Sequence, residues 1–100
     1  MSKPLVSVKQ LDVRGKSVLG VEIQLPNSPP LVLLIGEKGF VMCGYLNIEA
    51  AERAGAMAAR VVGVRSVEDV LDKEIVEVTS KARENGLAPG RRVRDVLANI

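Results

Sequence analysis

The chain has 100 residues, 47% of them apolar and 26% charged, with a net charge of +2. That length sets a single domain, 1–100, as the expectation, with room for a core of limited margin. With no histidine and one cysteine, Cys43, the composition excludes Ser-His-Asp and Cys-His catalysis, histidine-based or Cys-rich metal centres, and an internal disulfide.

The first half reads as strands. Leu5 to Val13 alternates in part, with Val6, Val8 and Gln10 on one side. Arg14-Gly15-Lys16 supplies a glycine for a tight reversal. Val18 to Leu25 follows, with Val21, Ile23 and Leu25 in step at a period of two. Pro26-Asn27-Ser28-Pro29-Pro30 breaks the ladder, because proline carries no N–H. Leu31 to Ile35 is a continuous apolar run, as in a strand covered on both faces. Gly36 to Gly39 has the length and glycines of a hairpin loop, and Phe40 to Gly44 is the fourth strand of an antiparallel meander.

The period then changes. Asn47 is a good N-cap for a helix over Ile48 to Ala59, and Glu49 and Arg53 are spaced for an i,i+4 pair. Ala51, Ala54, Gly55 and Ala58 give that helix a small-residue face, suited to close packing on its own sheet or on a second copy of the chain. Arg60 to Arg65 is a fifth strand. Ser66 caps the next segment, with Asp69 placed as in a capping box. Apolar positions from Val67 to Ala82 fit one continuous helix or two shorter ones. Asp72 could cap a second helix, and Gly86 ends it at the C′ position. Ala88-Pro89-Gly90 is a turn, and Arg92 to Ala98 a last short helix with Val93, Val96 and Leu97 inward.

The predicted class is therefore α+β. A four-stranded antiparallel meander leads into a strand-helix-strand crossover and C-terminal helices, in a single layer of sheet packed by helices. No apolar run approaches the roughly 18 residues of a membrane span. The stretch MSKPLVSVKQLDVR has no apolar signal-peptide region, so the cytoplasm is the expected compartment. Lys81, Arg83, Arg91, Arg92 and Arg94 cluster late in the chain, yet the weak net charge and only two aromatics, Phe40 and Tyr45, argue against nucleic acid.

If the strands flanking the crossover share a sheet, they run parallel and their carboxyl ends share an edge, at Cys43-Gly44 and at Val64-Arg65. Helix N-termini follow at Asn47 and Ser66, and Arg65 adds a planar cationic fork. Gly44, Asn47, Arg65 and Ser66 are thus the candidate ligand-binding residues, for a small anionic metabolite. Cys43 in this corner is a candidate catalytic thiol, with Arg65 holding an anionic substrate. A lone cysteine on a strand is more often a buried small hydrophobe. No phosphate-loop pattern is present, and no metal or cofactor is expected.

Phe40-Val41-Met42-Cys43-Gly44-Tyr45-Leu46, Val62-Gly63-Val64-Arg65-Ser66-Val67, Leu71-Asp72 and Val78-Thr79 together resemble the YunC-like family, small prokaryotic proteins classed as a domain of unknown function. The resemblance implies a compact α+β fold and a prokaryotic cytoplasm, and it adds weight to Cys43 and Arg65. Relatives can carry proline where Glu74 stands, which implies two helices with a break near Asp72. The chain departs from the family where Val93, rather than glycine, precedes Arg94.

Overall fold

The computed structural model describes residues 5–100; the first four residues of the expected 1–100 domain lie outside them. Six strands form one open sheet in sequence order: β1 (Val6–Val13), β2 (Lys16–Leu25), β3 (Ser28–Ile35), β4 (Phe40–Met42), β5 (Ala58–Arg60) and β6 (Glu77–Val78). β1 to β4 pair antiparallel, β4 and β5 parallel, β5 and β6 antiparallel. The helices are α1 (Ile48–Arg53), α2 (Val67–Asp72), α3 (Ser80–Glu84) and α4 (Val93–Val96), which runs into a 3-10 turn, Leu97–Asn99. The α+β class, the meander and the parallel crossover all stand. β6 is an addition to the expected set.

The turns follow from their residues. Arg14 (φ 52°) and Gly15 (φ 81°) give the left-handed pair that a two-residue hairpin needs to match strand twist. The prolines do not break β3, contrary to the sequence reading. Leu25 pairs with Ser28 and Ile23 with Leu31, so Pro29 and Pro30 together oppose the single residue Gln24. Proline is tolerated at such a bulge, because the ladder there asks for no N–H. β4 pairs only with Leu33 to Ile35, which leaves this end of β3 free on its other side.

α1 is shorter than Ile48 to Ala59, because Gly55 ends it. The N–H of Gly55 (φ 75°) donates to the Glu52 carbonyl, and that of Ala56 to the Ala51 carbonyl. This double closure needs a left-handed residue, which glycine adopts without strain. Ala58 and Ala59 then enter β5 fully buried, so packing overrides alanine's helical preference. β5 is consequently earlier than the expected Arg60 to Arg65. Val61 adds one more rung, its N–H donating to the Met42 carbonyl.

The segment after Ser66 forms two short helices rather than one, but the second starts later than an Asp72 cap would place it. α2 does stop at Asp72, near the break that the family resemblance implied. The chain then pairs Glu74 with Arg92 and Arg60 with Glu77, and α3 begins only after Thr79. Asp72 caps no helix; its carboxylate accepts from Arg94 at 2.8 Å. Gly86 ends α3 as expected, with the Leu87 N–H donating to the Ala82 carbonyl.

The main core lies on one sheet face. Val18, Val32, Leu34 and Val41 meet Val67, Val70, Leu87, Val93 and Leu97 there. α2 approaches so closely that a Cβ on Gly20 would lie 2.5 Å from Val67 Cγ1. α1 covers only the β4–β5 end of the opposite face, through Met42, Ala51 and Ala58 with Leu33, Phe40 and Ile48 around them. Leu31 and Leu33 are half-buried and Ile35 is 39% exposed, so the apolar run of β3 is fully covered on one face only.

The one buried polar side chain, Thr79, is saturated among the described residues. Its hydroxyl donates to the Ala56 carbonyl at 2.7 Å and accepts from the N–H groups of Ala58 (3.1 Å) and Ala82 (3.2 Å). A Thr79→Val substitution strands all three groups and should cost about 3 kcal/mol, read as a lower urea midpoint. Thr79→Ser keeps the hydroxyl and should cost only about 1 kcal/mol, for one methyl.

Exposed ion pairs tie helices to the sheet and to each other. Lys9 Nζ meets Glu68 Oε2 at 2.5 Å, and the hydrogen bond lowers the Glu68 carboxyl and raises the Lys9 ammonium. The hydrogen bond from Arg94 likewise lowers Asp72. A lowered carboxyl contributes stability in full above its unfolded value and loses it as pH falls through the folded one. For Asp72→Asn, the gap in urea midpoint from the parent should be small near neutrality, because the pair is exposed, and should close as the solution is acidified through the carboxyl range.

Candidate functional site

β4 leaves the sheet at Met42, and Cys43 follows it into the core. Cys43 is only 2% exposed. The β3–β4 register, Leu33 with Met42, makes Val32 and Cys43 the next pair. That rung is closed by the side chain: the Val32 N–H donates to Cys43 Sγ at 3.4 Å. The Cys43 carbonyl instead accepts from the Leu46 N–H, which turns the chain toward α1. The thiol therefore ends a ladder and fills a gap in the core.

Beyond this exit lies a surface hollow of about 320 Å³, lined by Pro29 and Pro30, by Cys43, Gly44 and Tyr45, and by Gly63, Val64 and Arg65. The Tyr45 hydroxyl donates to the Pro29 carbonyl at 2.8 Å and so ties the β4 exit to the bulge of β3. A second depression of about 520 Å³ adjoins it, sharing Pro29, Pro30 and Arg65, with Gln24, Asn27 and Ser28 completing its lining. Arg65 is exposed and stands between the two. Among the described residues its side chain makes no ion pair. Its backbone N–H donates to Asp69 Oδ2 at 3.0 Å.

Three of the five candidate residues thus come together: Cys43, Gly44 and Arg65. Asn47 and Ser66 lie outside the lining, and both side chains are engaged as caps. Asn47 Oδ1 accepts from Glu49 and Ala50, and Ser66 Oγ from Asp69. The N-terminus of α2 also holds an internal carboxylate, since the Val67 N–H donates to Glu22 Oε1 at 3.2 Å. The edge differs from the expected one as well. β5 ends at Arg60, and Val64-Arg65 reaches the hollow through an irregular segment with Gly63 at φ 73°. A Cβ at Gly44 would sit 3.6 Å from Val62 and 3.7 Å from Arg60 Nη1, both ordinary contacts.

Pro29, Pro30 and Tyr45 escaped the sequence reading. The prolines are distant in sequence and reach the site only through the β3 bulge. Tyr45 carried a usable signal, as one of two aromatics and a neighbour of Gly44. Arg60 is a further cation near Gly44, but Glu77 Oε1 engages its Nε at 2.6 Å. Among the described residues no cluster of His, Cys, Asp or Glu is arranged to hold a metal, and no helix is long and apolar enough to cross a membrane.

Residues 42–100 match the model of a family described as a domain of unknown function, DUF1805. The chain belongs to this family. Its DUF1805 region begins one residue before Cys43 and takes in α1 to α4, while β1 to β3 lie outside the match. The chain is 28% identical to the uncharacterized protein YunC of Bacillus subtilis (strain 168) over 100 residues, 96% of this chain and 98% of that one. The crystal structure of a protein of unknown function, TA1206 from Thermoplasma acidophilum, superposes with a TM-score of 0.87. It is 34% identical, covering 93% of this chain and 90% of that one. The YunC-like resemblance read from the sequence is thereby shown, and this DUF1805 chain shares its fold with the solved relative over 93% of its length.

Burial makes the thiol testable. Cys43→Ala leaves the Val32 N–H without an acceptor and should lower stability by about 1–3 kcal/mol. Alkylation of Cys43 in the native protein should follow the opening of the fold, so adding urea below the midpoint should speed it. A thiol that reacts at the rate of a free one in native buffer would contradict this placement.

Proposed function

We propose that this domain is a binding module for a small anionic metabolite, held in the hollow between Cys43-Gly44 and Gly63-Val64-Arg65, and that it works as a homo-oligomer. The observation that carries the reading is Arg65, a guanidinium without a carboxylate partner among the described residues, set on the wall of a largely apolar hollow. Such a wall suits a ligand with an apolar body and one carboxylate or phosphate, which the planar fork binds in bidentate fashion. About 320 Å³ is at the small end of ligand pockets. Pro29 and Pro30 would contact the body, and Gly44 would leave the near wall open.

The other reading, a thiol reaction at Cys43, asks for a sulfur open to the hollow and a nearby base. The buried sulfur and its Val32 hydrogen bond favour the binding role. Asn47 and Ser66 enter this reading as caps that fix the walls.

Amide NMR during titration with butyrate and, separately, inorganic phosphate checks it. Shifts should concentrate at Gly44, Tyr45, Gly63 and Arg65. Arg65→Ala should weaken binding of the effective probe roughly 10- to 100-fold, as expected for one charge-assisted contact. Arg65→Lys should recover part of it. An unchanged affinity in Arg65→Ala, or no response to either anion, would remove the reading.

A further inference from the structure

The hollow and the depression beside it share Pro29, Pro30 and Arg65, yet their other walls differ in chemistry. The depression adds three polar residues, Gln24, Asn27 and Ser28. Two of them are already oriented by the fold. Gln24 Nε2 donates to Glu22 Oε2 at 3.0 Å, and the other oxygen of that carboxylate accepts the Val67 N–H at 3.2 Å. A carboxylate only accepts, so the Gln24 amide turns its nitrogen to Glu22 and its carbonyl oxygen, Oε1, away. The Ser28 hydroxyl donates to the Pro26 carbonyl at 3.0 Å, which spends its one hydrogen and leaves its remaining lone pairs to accept. Among the described residues neither Gln24 Oε1 nor Ser28 Oγ receives a hydrogen bond.

We propose that the anion at Arg65 is the carboxylate of a free amino acid with an apolar side chain, and that Gln24 and Ser28 select its ammonium group. The proposal rests on the anion-binding reading of Arg65, and not on self-association. Arg65 stands where an apolar space meets a polar one. A carboxylate held there would send an apolar side chain against Pro29 and Pro30 and an α-substituent into the depression. Gln24 Oε1 and Ser28 Oγ meet that substituent as acceptors, so it has to be a donor, and an ammonium is donor only. Charge decides between an ammonium and a hydroxyl. Glu22 stands one hydrogen bond behind Gln24 and makes no ion pair among the described residues, since Lys9 is taken up by Glu68. A nearby carboxylate without a countercharge favours a cation over a neutral donor. A phosphate, which presents mainly acceptor oxygens, fits this lining poorly.

Calorimetry on the full chain with three probes of one carbon skeleton tests the selection: L-leucine, 4-methylpentanoate, which lacks the amine, and 2-hydroxy-4-methylpentanoate. Leucine should bind at least about tenfold tighter than either acid, as one added charge-assisted hydrogen bond predicts. Gln24→Met keeps the length and drops the acceptor, and should bring leucine to within about twofold of 4-methylpentanoate. Ser28→Ala, at an exposed site, is the second variant should the first disturb the fold, and should cut the leucine advantage roughly threefold. If 4-methylpentanoate binds and shifts the Gly63 and Arg65 amides while leucine binds no tighter, the amino-acid proposal falls and the anion reading stands. A hydroxy acid that matches leucine would show that the depression does not select an ammonium, and would overturn the proposal as well. So would a leucine preference that both variants leave undiminished. Silence from all three probes overturns this proposal and the anion reading together.

Discussion

The Thr79 hydroxyl is the constraint on which the second half of the fold depends. A hydroxyl offers one donor and two acceptor sites, and all are engaged here. It receives the chain leaving α1, at Ala56, and the first residue of β5, at Ala58. It also caps α3 through Ala82. Its own N–H donates to the Ala58 carbonyl. One buried side chain thus fixes where a helix ends, where a parallel strand begins and where the next helix starts. Glu52 strengthens the same junction by accepting the Ser80 N–H at 2.7 Å. Because β5 carries the chain toward Gly63 and Arg65, the wall of the hollow is positioned from this junction.

The other wall is set by an interrupted ladder. β3 and β4 pair for three rungs, and at the fourth a thiol takes the place of a carbonyl. This frees the Cys43 carbonyl to turn the chain, and the turn presents Gly44 and Tyr45 outward. Sulfur is a weak acceptor, but in a buried site a weak partner is much better than none. The carboxylates and caps around α2 act in the same direction. Glu22, Ser66 and Asp69 satisfy the local N–H groups, so Arg65 contributes the charge at this edge that no internal group engages.

The sequence was informative where local chemistry decides, and silent where tertiary contacts do. Arg14-Gly15 announced its turn, Asn47 and Ser66 their caps, Gly86 its helix end, because each acts on its own neighbours. Gly55 was equally local, yet it was read as part of a small-residue face, since its alanine neighbours continue a helical pattern past the stop. β5 was placed late for a related reason: Ala58 and Ala59 are good helix formers, held extended only by complete burial. β6 has two residues and no alternation to detect. The bulge at Pro29-Pro30 depends on a register shift that no single-strand pattern encodes. So Cys43, Gly44 and Arg65 were legible as a corner, while the opposite wall was not.

That bulge also links the two surfaces of β3. From Leu31 to Ile35 the strand alternates, sending Val32 and Leu34 into the main core and Leu33 and Ile35 to the opposite face. At Pro29-Pro30 the extra residue breaks the alternation, and the same strand re-aims toward the hollow. The continuous apolar run, read first as a strand covered on both faces, is a strand covered fully on one face and partly on the other. Leu33 packs beneath α1 and Leu31 against the main core, so of Leu31, Leu33 and Ile35 only Ile35 is left exposed.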